Sequence, residues 1–166
     1  MLRWQQAVDR FSKGIAVLTA ILMLLMLVNI FYDVVMRYFF RSSSIGMQEL
    51  EWHLFAAMFL LGIASTLQAE GHVRVDIIYD KLSARAQAWI DSLGVVFFLW
   101  PFCALVAWYG YDFALESYHL GETSGDPGGL SHRWIIKSMI PISAVCLAVS
   151  GLGMLLKNLI QLRNKA

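Results

Sequence analysis

The sequence predicts an all-α integral membrane protein: four transmembrane helices, both termini cytoplasmic, and a short interfacial helix between the second and third spans. Three observations lead there. Of the 166 residues, 58% are apolar or aromatic and only 15% are charged, whereas a soluble domain carries roughly 25% charged residues. A soluble chain of this size has too much surface to accept that balance. Three runs of 19 or 20 residues contain no Asp, Glu, Lys or Arg, and about 20 helical residues cross the hydrocarbon core of a bilayer. Finally, the basic residues fall unevenly on the two sides that these runs define. The same composition excludes disorder and, with two cysteines, a disulfide scaffold. A net charge of +1 gives no overall attraction to nucleic acid. The whole chain, 1–166, reads as a single membrane domain with spans near 14–38, 48–69, 88–113 and 134–157.

The first span rests on the run 14–32, GIAVLTAILMLLMLVNIFY. Arg3, Arg10 and Lys13 precede it, as in a signal peptide. The run is longer than a signal core of about 7–15 residues, and it meets Asp33 and Arg37 with no small-residue cleavage pattern. An uncleaved helix is therefore expected. The second span is weaker: 54–67 supplies only 14 uncharged residues, so the helix must begin with Glu49 and Glu51 inside it. Its polar end should face protein instead of lipid. The runs 92–111 and 138–156 give the third and fourth spans, with Pro101 inside one and Pro141 near the start of the other. Each proline is expected to kink its helix. Ser83 is a plausible N-cap for the third helix. The segment 74–82 reads as the interfacial helix, with a charged turn as the alternative. Residues 121–131, GETSGDPGGLS, are loop chemistry.

Nine Lys and Arg residues lie on the side of the termini and the second loop: Arg3, Arg10, Lys13, Arg74, Lys81, Arg85, Lys157, Arg163 and Lys165. Four lie opposite: Arg37, Arg41, Arg133 and Lys137. The positive-inside rule places the first side in the cytoplasm and the 121–131 loop outside. Trp4, Trp52, Trp89, Trp108 and Trp134 fall near span ends, where interfacial aromatic belts are expected.

Catalytic chemistry is not apparent. Haem in a four-helix membrane subunit needs histidines in mid-span, and His53, His72, His119 and His132 lie in loops or near helix ends. No metal site is expected, since no donors cluster at ligand spacing. Cys103 and Cys146 read as packing residues. No acid or base sits at a bilayer centre, where ion-binding transporters need polar groups or broken helices. Polar residues concentrate instead at helix ends. Asp33 and Arg37 are spaced for an i, i+4 ion pair. Glu49 and Glu51 either cap the second helix or meet a partner. Gly62, and the stripe of Ala144, Ala148 and Gly151, suit close helix packing, within the chain or with another.

Several stretches together resemble one family. Arg37-Tyr38-Phe39-Phe40 is similar to an Arg-Tyr-x-Phe ending of a first helix, and Glu49, Glu51 and Trp52 resemble an acidic and aromatic start of a second. Gly71-His72-Val73-Arg74-Val75-Asp76 resembles a His-x-x-Val-Asp-like cytoplasmic loop, and Trp134 with Pro141 a Trp-and-Pro opening of a last helix. In order and spacing they resemble the small membrane (Q-type) subunit of the tripartite ATP-independent periplasmic (TRAP) transporters, over roughly residues 10–160.

That resemblance implies a non-catalytic small permease subunit, without cofactor or substrate site of its own, in the bacterial inner membrane. It implies a large multi-span permease subunit that carries the sodium and substrate sites. It also implies a periplasmic substrate-binding protein, often for an organic acid, and uptake driven by sodium. Arg37, Glu49, Glu51, Trp52, Gly62, Ala144 and Ala148 are the expected contacts with the large subunit. Glu122, Asp126 and Arg133 are expected on the receptor-facing loop. A membrane anchor for an oxidoreductase and a small standalone transporter are the alternatives.

Overall fold

In the computed structural model the described residues are 2–68, 79 and 81–164. They form four long helices, each apolar enough to cross a membrane: α1 (Leu2–Phe39), α2 (Ile45–Gln68), α3 (Ala84–His119) and α4 (Trp134–Asn164). No strand occurs among them. The expected interfacial helix at 74–82 and the motif at 71–76 lie mostly outside the described residues.

The helices overrun the apolar runs that revealed them. α1 begins at Leu2 and carries Arg10 and Lys13 on its exposed surface, since nothing in its first turns breaks a helix. α2 is the least apolar of the four, as its short uncharged run implied. α3 starts on Ser83, whose Oγ accepts the Ala86 amide at 3.3 Å, the expected N-cap. It continues past Asp112 and Glu116 to His119. Trp108 therefore lies about three turns inside the helix, near the end of the apolar run and not of the helix itself.

Pro101 follows a local widening of α3. Immediately before it, Val95–Leu99 form a π-helical turn, and the Trp100 amide reaches back to the Val95 carbonyl. A proline donates no amide bond and crowds the carbonyl of the preceding turn. The one-residue widening absorbs that crowding while the helix continues. The π turn faces α4. A Cβ on Gly151 would lie 2.6 Å from Leu99 Cδ2 and 3.3 Å from Val95 Cγ1, so Gly151 is where α4 receives the bulge. Beside it the Trp100 indole donates to the Ala148 carbonyl at 3.3 Å. Trp100→Phe keeps the ring and removes the donor. It should lower stability in detergent by about 1 kcal/mol, read as a lower thermal unfolding midpoint. An unchanged midpoint would show that the bond contributes nothing.

α4 is the central helix. It packs against α1, α2 and α3, while α1 pairs with α2 and α3 rests chiefly on α4. Within the most apolar stretch of each helix, 44% of α4 is buried, against 11% of α1, 11% of α2 and 17% of α3. One cluster joins all four: Ile15, Leu61, Ala64, Cys103 and Leu147. At the same level Ser12 and Ser150 hydroxyls meet at 3.4 Å. Elsewhere α1 and α3 present Leu24, Val28, Phe31, Phe97, Phe98 and Trp108 outward, each more than half exposed. Such a surface is at rest in lipid or against another apolar helix, not in water.

Candidate partner interface at the loop end

Among the described residues, the buried charged side chains are Asp33 and Glu49, and both lie at the end of the bundle that carries the 121–133 loop. The buried polar residues deeper in the bundle include Ser143 and Ser150, and the Ser143 hydroxyl bonds a carbonyl of its own helix. Among the described residues, buried charge is therefore gathered at one end, while Ser12, Ser92 and Asn158 are neutral polar groups buried toward the other.

The loop leaves α3 through a glycine turn. Gly121 adopts φ +57, its amide bonds the Tyr118 carbonyl at 3.1 Å, and the Glu122 amide bonds the Ser117 carbonyl at 3.0 Å. This pairing satisfies the last carbonyls of the helix, and the left-handed residue is where glycine is favoured. The chain then doubles back. The Arg133 amide donates to Glu122 O at 3.1 Å, the Ser124 amide to Leu130 O at 3.0 Å, and the Gly129 amide to Asp126 O at 3.0 Å. Ser124 Oγ accepts the Asp126 amide at 3.1 Å. The loop is an ordered hairpin-like cap despite its glycine content.

Two acids fasten this cap. Glu49, 6% exposed in the first turns of α2, accepts Ser124 Oγ at 2.5 Å and the Leu130 amide at 2.6 Å. Arg133 lies 3.6 Å from the same carboxylate, and its guanidinium stands 5.6 Å over the Trp52 ring. Trp52 itself is 41% exposed. Glu122 pairs with Lys137 in the first turn of α4, and Lys137 Nζ sits 4.0 Å over the Phe113 ring. The Lys137 hydrogen bond, with help from the Ser117 hydroxyl and then from the charges of Lys137 and Arg133, holds the Glu122 carboxyl below its ordinary value of 4.5. The contribution of this pair to loop order is therefore complete above that value and lost as pH falls through the depressed one. A carboxyl titration by 13C NMR should place the Glu122 midpoint below 4.5, and Lys137→Met should return it upward. A midpoint insensitive to that substitution would refute the pairing.

The expected site residues separate into two sets. Glu122 and Arg133 are half-buried and Asp126 is exposed, all in or beside the loop. Arg37, half exposed, pairs with buried Asp33 on α1. Glu51 is half-buried beside the exposed Trp52. Glu49 is turned into the chain's own loop. A Cβ on Gly62 would meet Thr19 of α1 at 3.7 Å, and Ala144 is 4% exposed. Both positions pack against the chain's own helices, and Ala144 also borders a groove between α3 and α4. Ala148 lines the same groove, of about 450 Å³, with Trp100, Ala104 and Leu152. Sequence reasoning did not find Ser124, Leu130 or Lys137 as partners of the acids. Only opposite charge could have hinted at Lys137, and Ser124 carries no local signal.

A bundle whose buried charges, among the described residues, lie at one end, with a fixed polar cap and broad apolar flanks, defines a multi-span membrane subunit built to sit beside other chains. The model for the DctQ component of tripartite ATP-independent periplasmic transporters matches residues 25–161. The chain belongs to that family and is a transporter subunit. It is also 25% identical, over 134 residues, to a Haemophilus influenzae protein that bears the name of a TRAP transporter small permease; the match spans 81% of this chain and 83% of the relative. Systems of this family are tripartite, which calls for a large permease and a binding protein beside this subunit.

Proposed function

We propose that this chain is the non-catalytic small permease subunit of a sodium-coupled, binding-protein-dependent uptake system for organic acids. It scaffolds the large permease subunit in the bacterial inner membrane and helps dock the periplasmic receptor. The family match is the ground for the tripartite setting. The observation that carries the division of labour is that, among the described residues, buried charge occurs only at the loop end, the other buried polar groups being serines and asparagines. Ion and anion sites of secondary transporters need polar groups or broken helices near the midplane, so those sites are assigned to the large subunit.

The excess of Lys and Arg on the side of the termini supports cytoplasmic termini and a periplasmic loop. Arg37, Glu51, Trp52 and Ala148 keep surface for the large subunit. Glu122, Asp126 and Arg133 belong to the receptor side. The open apolar faces of α1 and α3 suit lipid and the large subunit together.

Co-expression with the large permease should yield a detergent-stable complex. Proteoliposomes holding that complex, supplied with the binding protein and an inward sodium gradient, should accumulate substrate. Vesicles with this chain alone should not, and collapsing the gradient should stop uptake. Substrate accumulation by this chain alone would overturn the scaffold role. Uptake indifferent to sodium would overturn the coupling.

A further inference from the structure

Glu49 differs from the other polar groups at the loop end because both of its carboxylate oxygens are spent on the 121–133 loop. One accepts Ser124 Oγ at 2.5 Å and the other the Leu130 amide at 2.6 Å. Arg133 completes its surroundings at 3.6 Å, and Glu49 as a whole residue is 6% exposed. A second set of contacts shows how closely the loop is seated. A Cβ on Gly129 would fall 2.8 Å from Glu49 Oε2 and 2.4 Å from Ser124 Oγ, and a Cβ on Gly46 would fall 3.2 Å from the Gly128 carbonyl. The loop lies directly on the first turns of α2, with glycine on each side of the contact. Outward it exposes Thr123, Gly125, Asp126, Pro127, Ser131 and His132.

We propose that Glu49 is a positioning residue for receptor docking: its carboxylate fixes the loop in one conformation, so that the loop's outer face is already shaped when the binding protein arrives. This rests on the docking role proposed above and names the group that sets it. A loop of this composition would otherwise sample many conformations, and binding would bear the cost of ordering it. Charge-assisted bonds to a buried carboxylate remove that cost beforehand. Ser124 and the Leu130 amide both donate, so a carboxylate can satisfy both, whereas an amide retains one good acceptor and turns a donor toward them.

The test uses proteoliposomes containing the complex of this chain with its large subunit, titrated with the cognate binding protein. Glu49→Gln should raise the half-saturating receptor concentration by about fivefold while leaving maximal uptake and complex yield unchanged. Ser124→Ala, which removes one donor to Glu49 together with the acceptor of the Asp126 amide, should shift it in the same direction by less. A fall in maximal uptake at unchanged half-saturation would mean that Glu49 serves assembly only, and would overturn the proposal. Should Glu49→Gln not assemble, Ser124→Ala alone decides: no shift overturns the inference. Asp126→Lys separates the two levels of the argument. If it shifts half-saturation and the positioning variants do not, this inference fails and docking stands. If none of the variants shifts it, docking by this loop fails as well.

Discussion

Replacing Gly110 by Val is expected to detach α3 from α4. A Cβ at Gly110 would lie 2.9 Å from Ile140 Cγ2, 3.2 Å from Pro141 Cδ and 3.3 Å from Pro141 N. Ile140 can turn its side chain, but the proline ring and its backbone nitrogen cannot retreat. The helices must separate, and α3 packs chiefly on α4. Separation would also loosen the seating of the π turn on Gly151 and the Trp100 bond to Ala148. Overpacking a filled contact costs about 1–3 kcal/mol, and a β-branched side chain against a rigid ring belongs at the upper end. The purified subunit should unfold at a lower temperature and its yield in the complex should drop. Gly110→Ala should fall between. Gly14→Ala is the control, since a Cβ there meets nothing within 4 Å and alanine is the better helix former by about 1 kcal/mol. If Gly110→Val behaves like Gly14→Ala, the close approach of α3 and α4 is not what holds them.

The contrast between those two glycines also shows where the sequence was readable. The spans could be read because membrane crossing demands uncharged length, and 14–32, 92–111 and 138–156 meet that demand without help from any other residue. Helix ends were harder. An apolar run stops at its first charge, but a helix stops only where backbone chemistry ends it, so α3 ignores Asp112 and runs on to the turn at Gly121. The stripe of Ala144, Ala148 and Gly151 signalled close packing but not its partner. The structure supplies one, since Gly151 receives the π turn of α3. The π turn has a cause in Pro101, yet a proline alone does not announce a widened turn, and its seat on Gly151 depends on a residue in another helix. Glu49 was the least legible. Its position in the first turns of α2 suggested a cap or a partner contact, while its actual partners lie 75 and 81 residues away in the chain. Contacts at that separation leave no periodicity, and a serine in a glycine-rich loop looks like any other.

Charge reversal at Glu122 should weaken receptor-dependent uptake far more than the same change at Asp126. Both acids lie in the loop, and sequence alone treats them alike. Asp126 is exposed, and its side chain lies at the tip of the turn closed by the Gly129 amide bond to its carbonyl. Asp126→Lys changes the field that an arriving receptor meets and leaves the loop's shape intact. Reversal of a rim charge acts mainly on encounter and salt dependence, so a shift of about twofold to threefold in half-saturating receptor is expected, shrinking at high ionic strength.

Glu122 instead bonds Lys137 through its side chain and the Arg133 amide through its carbonyl. Glu122→Lys would set a second ammonium beside Lys137 and near Arg133, at the point where the loop joins α4. Like charges at that range repel, and the loop's second fastening would be lost while Glu49 still held the first. Half-saturating receptor should then rise on the order of tenfold, and high salt should recover only part of it, because the loss is of shape as well as field. Pairing Glu122→Lys with Lys137→Glu restores opposite charges in exchanged places and should recover most of the uptake. Equal shifts at Glu122 and Asp126, both erased by salt, would mean that the loop contributes charge alone and that its order is immaterial to docking.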